Sequence, residues 1–446
     1  MKYKKYILTI CLAVILALGG CSPVSSGNNM LRPPRATGDK AEIQHIISQQ
    51  AGGKYTFKYP QTGEYRSAIT MKKEKAQNEF ALALYSPDND TKINVCIISF
   101  IDGKWQCIGN FANAGTGVDR VMFRDLNNDG IDEIIIGWTS YNNAQKTLSA
   151  YSVADTAYEI ALEDTYNEMI IEDVTGDDVS DIVLLSLSTQ KNPSNFKVLQ
   201  YSETEKKPVA RYSIDLDPEV ISFANITCGS IAQNQKGVVI DGEKNGGILT
   251  SQIVYFDENS NTFLNPLVTQ NENGTFSNPT SRKDTIYSRD SDGDSIIEVP
   301  VVTPLPAPAE NTASICSITA WKQYSVYNKA LGTKINTVIN YNDRYYITMP
   351  NRWINNTVTA VTDTDTRKMT FYIWNSKTSS FGDKLLEISR YTKEEFENLD
   401  KTNMISLSID NPNAVFCAEI FITNADDELN ITPEEVINSV HEFWKN

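Results

Sequence analysis

Histidine is almost missing from this chain. The 446 residues hold two, His45 and His441. A Ser–His triad or a His-ligated zinc site therefore has almost nothing to draw on. Both read better as surface or packing residues. Cysteine is sparse and unpatterned. Besides Cys11 and Cys21 there are Cys96, Cys107, Cys228, Cys316 and Cys417. An odd number without metal-like spacing reads mainly as buried free thiols. Cys96 and Cys107 flank a turn at Asp102-Gly103, and a disulfide across that turn is the alternative. Positive charge is in deficit: 40 Lys and Arg against 56 Asp and Glu, a formal net charge of −16. That argues against nucleic acid and against electrostatic binding to anionic lipid or wall polymer. Long apolar runs are lacking too. The single one, Tyr6 to Leu18, is shorter than the roughly 20 residues that span a bilayer.

What surrounds that run gives it a meaning. Lys2, Lys4 and Lys5 precede it, and Leu18-Gly19-Gly20-Cys21 follows it. A basic start with a short apolar core is a secretory signal. The Leu-Gly-Gly-Cys ending resembles a bacterial lipobox, which implies cleavage before Cys21 and lipidation of that residue. Residues 1–20 are thus expected to be a lipoprotein signal peptide. Residues 21–39, rich in Ser, Gly, Pro and Asn, are expected to be a flexible tether. Cleavage would remove three lysines and take the net charge to about −19. The expected location is extracytoplasmic, on the cell membrane, held by lipid at Cys21.

The acidic residues are not scattered evenly. Val121 to Trp138 reads as a strand, an oxygen-rich loop and a second strand. Asp125, Asn127 and Asp129 stand at loop positions 1, 3 and 5, Ile131 at 7 and Glu133 at 9. The grammar returns with Asp173, Thr175, Asp177, Val179 and Asp181, and again with Asp290, Asp292, Asp294, Ile296 and Glu298. Calcium takes six to eight oxygens at about 2.3–2.6 Å, and side chains at positions 1, 3, 5 and 9 can converge on one ion. Position 7 would give only its backbone carbonyl. A helix–loop–helix hand would need Glu at position 12, where Ile136, Leu184 and Val301 stand instead. The competing reading is a set of polar turns, since Asp, Asn and Gly dominate turns anyway. The motif, followed by a short apolar strand, resembles the FG-GAP/VCBS repeat of integrin-type β-propellers. That resemblance implies a structural calcium ion in each full loop. Thr175 makes the middle loop the weaker of the three.

Two degenerate copies extend the series, one with Met71 and Glu79 at positions 1 and 9, one with Gly229 and Gly237. Position 1 then falls at Met71, Asp125, Asp173, Gly229 and Asp290, with spacings of 54, 48, 56 and 61. Between loops come strand pairs around turns such as Ile101-Asp102-Gly103. Periodic four-strand units indicate a propeller, with a solenoid as runner-up. The expected fold is mainly β, a β-propeller of about five four-stranded blades over residues 40–342, followed by a smaller α+β domain over 343–446. Asp39 to Gln50 is expected to be an amphipathic helix with Ala41, Ile43, Ile46 and Ile47 on its apolar side. In the C-terminal part, Thr432 with Glu435 forms a capping box before Pro433, predicting a helix to Lys445. Asn-x-x-Tyr-Tyr-Ile-Thr-Met-Pro-Asn-Arg-Trp, ending at Trp353, weakly resembles the start of PsbP/Mog1-like α/β domains.

These readings favour a lipid-anchored binding or scaffold protein whose calcium is structural and whose partner is an unidentified protein or glycan at the cell surface. An enzyme acting on extracellular polysaccharide or wall is the alternative, with paired carboxylates for chemistry and Trp138 and Tyr141 to stack on sugars. Packing is the competing role for those two aromatics. A third reading is an accessory lipoprotein of an envelope complex.

Overall fold

The computed structural model describes residues 38–73, 79–141, 145–153, 156–160, 162, 164–309, 314–355, 357–421 and 428–443. The segments expected to be a signal peptide and a tether, with Cys21, lie outside the described residues except for residues 38 and 39, and so does Trp444. The described residues are mainly β and fall into two compact units, one of those up to 121 with those in 152–159, the other of those in 122–151 with those from 160 onward.

The first unit starts with helix α1 (Asp39–Ala51). Ile43, Ile46 and Ile47 recur at helical spacing and are buried, each contributing roughly 1.5–3 kcal/mol. Ala41, expected on the same side, is exposed. Gly52 ends the helix at φ 65°, a left-handed conformation that costs glycine little. The isoleucines pack on Ala81, Ala83, Tyr85, Cys96, Ile98 and Trp105 of the first sheet. That sheet comprises β1 (Tyr55–Phe57), β2 (Ile69–Lys73), β3 (Glu79–Pro87), β4 (Ile93–Ile101) and β5 (Lys104–Asn113). Asp102 and Gly103, at φ 50° and 77°, turn β4 into β5, as the Asp-Gly pair requires. Met71 is no loop residue. It lies in β2 opposite Ala81, and the pairing runs on to Lys73 and Glu79. Cys96 and Cys107 are free, with their sulfurs 3.7 Å apart.

Beyond β5 the strands form further antiparallel sheets. The second sheet joins β6 (Gly117–Arg124), β7 (Glu133–Thr139) and β8 (Lys146–Ser152), with β9 (Tyr158–Ile160) and β10 (Thr165–Tyr166) on β8. The third runs β11 (Glu168–Glu172), β12 (Asp181–Ser186), β13 (Asn195–Ser202) and β14 (Lys207–Asp215). The fourth runs β15 (Val220–Ala232), β16 (Gln235–Lys244), β17 (Ile248–Asp257) and β18 (Thr262–Leu264). After a small ribbon of β19 (Thr269–Gln270) and β20 (Phe276–Ser277), the fifth sheet begins with β21 (Val299–Pro304). It continues through β23 (Ser317–Ser325), β24 (Ala330–Asn340) and β25 (Tyr345–Thr348) to β31 (Val440–Glu442). The sixth comprises β22 (Ser314–Ile315), β26 (Val358–Asp363), β27 (Lys368–Asn375), β28 (Ser380–Tyr391), β29 (Met404–Leu407) and β30 (Val415–Ile420). Four to six antiparallel strands in this order are consistent with propeller blades.

The strands that follow the first two acidic loops are buried on both faces, whereas Val299–Pro304 after the third is buried only at its start. Glu133 to Trp138 and Asp181 to Leu185 are buried at every residue. A strand covered on both sides reads as a continuous apolar run rather than an alternating one, which is what Ile134-Ile135-Ile136 and Ile182-Val183-Leu184-Leu185 are. Gly229 does not open a loop. It lies in β15 opposite Gly237 of β16, and the strands join through a tight turn at Gln233-Asn234.

Two further expectations meet a different arrangement. The C-terminal helix α2 (Pro433–Ser439) has the capping box at Thr432 and Glu435 but stops at Ser439. Val440-His441-Glu442 instead forms β31, paired with Ile347, Tyr346 and Tyr345. The backbone hydrogen bonds of a sheet edge replace the last helical turn there, and the His441 ring packs 5.2 Å from that of Tyr346. The expected boundary at 342/343 falls in the turn between β24 and β25, which are paired strands of one sheet. Leu305, Cys316 and Val338 also share a core cluster with Trp353, Phe371 and Phe416.

Candidate metal centres

The three acidic loops have one backbone plan. Positions 4 and 6 are left-handed in all of them: Asn128 and Gly130, Gly176 and Asp178, Gly293 and Ser295, with φ between 59° and 86°. Two such residues separated by one fold the loop tightly enough that position 1 reaches the backbone of positions 4 to 6. Asp125 accepts from the N–H of Asp129 (3.2 Å) and Gly130 (2.8 Å). Asp173 accepts from Gly176 (2.6 Å), Asp177 (3.2 Å) and Asp178 (3.3 Å). Asp290 accepts from Gly293 (2.7 Å), Asp294 (3.2 Å) and Ser295 (2.9 Å). The position-5 carboxylates of Asp129, Asp177 and Asp294 accept the N–H of Ile131, Val179 and Ile296 at 2.8, 3.0 and 2.9 Å. The backbone carbonyl is then the one oxygen that each of these position-7 residues offers.

Position 9 is the inner anchor. Glu133, Asp181 and Glu298 are each at most 1 % exposed. Each takes the N–H of position 2: Leu126 at 3.0 Å, Val174 at 3.1 Å and Ser291 at 2.9 Å. Those position-2 residues are themselves buried, so every loop is pinned to its sheet from beneath. Burial pushes the Glu133 carboxyl up to about 7, against the Leu126 hydrogen bond and with help from the charges of Asp129 and Asp125. Burial raises Asp181 and Glu298 as well, and Asp292 and Asp294 add to the rise at Glu298. Asp173 goes the other way. Its partial burial would raise it, but the Lys236 ammonium and the Gly176 N–H outweigh that and lower it.

The loops differ in how much oxygen they leave open. Asp290, Asp292 and Asp294 each bring a carboxylate oxygen within 4.8 Å of the other two. Beneath them, Glu298 gives Oε2 to the Ser291 N–H and hydroxyl, both at 2.9 Å, while Oε1 is buried with no hydrogen-bond partner. An orphaned buried carboxylate oxygen next to three converging carboxylates fits a hard divalent cation with oxygen ligands. In the first loop Glu133 Oε1 already takes the Asn127 amide at 3.1 Å. In the second, Thr175 Oγ donates to Asp181 at 3.1 Å and accepts from Gln200 at 3.2 Å.

Some residues around the loops left no local trace in the sequence. Lys236 and Lys334 reach Asp173 and Asp294 from 63 and 40 residues away, a relation no spacing rule predicts. Of the two aromatics considered for sugar stacking, Trp138 is 1 % exposed with its indole N–H on Ser149 Oγ at 3.2 Å. It is a packing residue. Tyr141 is 94 % exposed. An open cleft of about 820 Å³ lies beside the third loop, lined by Gln233, Asn259, Gln323, Tyr324, Tyr327 and Lys334 among others.

No family model matches the chain, and no curated protein matches it in sequence. Solved structures do overlap with it. A protein from Lactobacillus plantarum is 9% identical, with 70% of this chain and 83% of that one covered and a TM-score of 0.30. An exo-beta-1,3-galactanase from Phanerochaete chrysosporium is 11% identical, covering 76% and 71%, with a TM-score of 0.27. A Pseudomonas aeruginosa periplasmic gluconolactonase is 10% identical, covering 73% and 86%, with a TM-score of 0.29. These values are too low to assign chemistry to this chain.

Proposed function

We propose that this chain is a lipid-anchored, extracytoplasmic binding or scaffold protein built on a calcium-stabilised β-propeller of the FG-GAP/VCBS type. One observation carries the reading. Three loops separated by 48 and 117 residues in sequence share one hydrogen-bond plan, one pair of left-handed positions and one buried position-9 carboxylate. The two copies that lack acids at positions 1, 3 and 5 support it by contrast. Where Met71 or Gly229 takes position 1, its backbone pairs in a strand. Of the acidic copies, the third keeps three converging carboxylates above a buried one.

Calcium in this reading is structural. It would be held by the side chains of positions 1, 3, 5 and 9 with the position-7 carbonyl, and it would offset the repulsion among those carboxylates. Lipid at Cys21 would hold the protein to the membrane, and a protein or glycan partner would meet its loops. The cleft beside the third loop, with the exposed Tyr327 and three side-chain amides, suits a polar ligand with a flat face.

Thermal unfolding of the full chain in calcium and in chelator tests the metal. At calcium about a hundred times the dissociation constant, one site adds about 2.7 kcal/mol. A rise in melting temperature that Asp125→Ala with Asp290→Ala abolishes is the expected result. Equal melting in calcium and in chelator would reduce the loops to polar turns. For the anchor, Cys21→Ser is expected to move the protein out of the membrane fraction.

A further inference from the structure

Two of the three acidic loops already carry a cation supplied by the chain itself. Lys236, on β16, places Nζ 2.8 Å from Asp173 Oδ2 at position 1 of the second loop. Lys334, on β24, places Nζ 2.8 Å from Asp294 Oδ2 and 3.8 Å from Asp292 Oδ2, at positions 5 and 3 of the third. Among the described residues no ion pair reaches Asp125 or Asp129 of the first loop. We infer that Lys236 and Lys334 are built-in counter-ions of the second and third loops, which calcium must displace to bind, so that they set the calcium affinity of those two sites. The inference rests on the calcium reading above.

The argument is one of shared oxygens. A calcium ion needs six to eight of them, and the third loop cannot supply its set without Asp292 and Asp294. An ammonium on those same carboxylates removes lone pairs from the ion and adds a like charge a few ångströms from it. In the absence of metal the same ammonium relieves the repulsion among three convergent carboxylates. Both lysines can leave. Their side chains are 53% and 34% exposed, so the charge can swing into water while the stem stays on its strand. A second observation points to the ion rather than to the lysine as the partner of the third loop. Lys334 satisfies the outer carboxylates, while buried Glu298 Oε1 beneath them has no partner. One ammonium does not complete the site.

Calcium is titrated calorimetrically into the full chain and into Lys334→Met and Lys236→Met, variants that keep most of the apolar stem and lose the charge. Asp290→Ala and Asp173→Ala assign the third and second sites. Lys334→Met is expected to tighten the site that Asp290→Ala removes by about two- to five-fold, the range spanned by losing one exposed ion pair. Lys236→Met is expected to do the same for the site that Asp173→Ala removes, and the first loop's site stays where it was. Lys334→Arg, which keeps the charge, is expected to leave the third site unchanged or weaker. If the wild-type chain binds calcium and neither methionine variant tightens its site, the lysines are not competitors and the calcium reading stands without them. If neither the wild type nor the variants bind calcium, both fall.

Discussion

Glu298 offers a test in which the sign of an effect reverses with the solvent. Its carboxylate is fully buried; Oε2 takes two hydrogen bonds from Ser291 and Oε1 takes none. A buried polar group left without a partner costs about 1–3 kcal/mol, more for a charged one. Burial and the charges of Asp292 and Asp294 both disfavour the ionised form. Glu298→Gln keeps the size and an acceptor for Ser291, removes the charge, and turns the orphaned oxygen into an amide that can donate toward the loop carboxylates. In chelator at pH 8 the variant is therefore expected to be more stable than wild type by about 1–2 kcal/mol. In calcium near a hundred times the dissociation constant, wild type gains about 2.7 kcal/mol from that site, and the variant forfeits much of it. The ranking should invert. Urea unfolding in the two buffers reads this directly, provided that the slope of stability against urea is unchanged. A variant less stable in chelator would refute the burial argument. A variant more stable in both would refute the metal argument.

Asp241 predicts a loss of stability independent of metal. It is buried and accepts from Arg282 (3.0 Å), from Ser288 N–H (2.9 Å) and hydroxyl (2.8 Å), and from Ser251 and Asn225. Asp241→Asn strands a fully buried guanidinium and is expected to cost about 3–5 kcal/mol in urea unfolding, with Asp241→Asn/Arg282→Met costing less than the sum of the single changes; a loss under 1 kcal/mol would mean that Arg282 finds another partner. Glu387 gives a pH dependence. Its burial would raise the carboxyl, but Lys368 at 2.6 Å and Lys384 at 2.8 Å outweigh that and lower it. The folded state thus binds its proton less readily than the unfolded one, so the contribution is present above the ordinary carboxylate range and lost as pH falls through the lowered value. Glu387→Gln should flatten the acid limb of the stability curve, and an unchanged limb would show that the two lysines are not coupled to it. Cys107, lowered to about 7 by its hydrogen bond with Cys96, should be alkylated with a rate that rises through neutral pH. Cys228 and Cys316, pushed up by burial to about 11 and 12, should stay silent; equal labelling of all three would contradict the assigned environments.

The loops were the most legible part of the chain because their chemistry is local. An Asp that caps the backbone three to five residues on, a glycine or a small polar residue at a left-handed position, and an acid under the loop all lie within nine residues. The strands around Asp102-Gly103 and the runs at Ile134 and Ile182 were legible for the same reason. Elements whose state depends on a distant strand carry no such local signal. Val440 to Glu442 continues the helical pattern but pairs with β25, nearly a hundred residues earlier in the chain. Met71 and Gly229 look like position 1 of a loop, yet with no acid to collect backbone N–H groups their segments close into hairpins. The repeat grammar stops before Tyr345, yet its ladder with β24 places Tyr345 to Thr348 in the fifth sheet.

By itself the sequence determined the mainly β composition of the chain, the positions of the acidic loops and the oxygen-only chemistry that they can offer, since each follows from residues within one turn of each other. Tertiary structure alone decided which carboxylate oxygen is left without a partner, which lysine stands over which loop, and where one sheet ends. Burial and ion pairing depend on strands brought together from 40 or more residues away, and no local pattern encodes that distance.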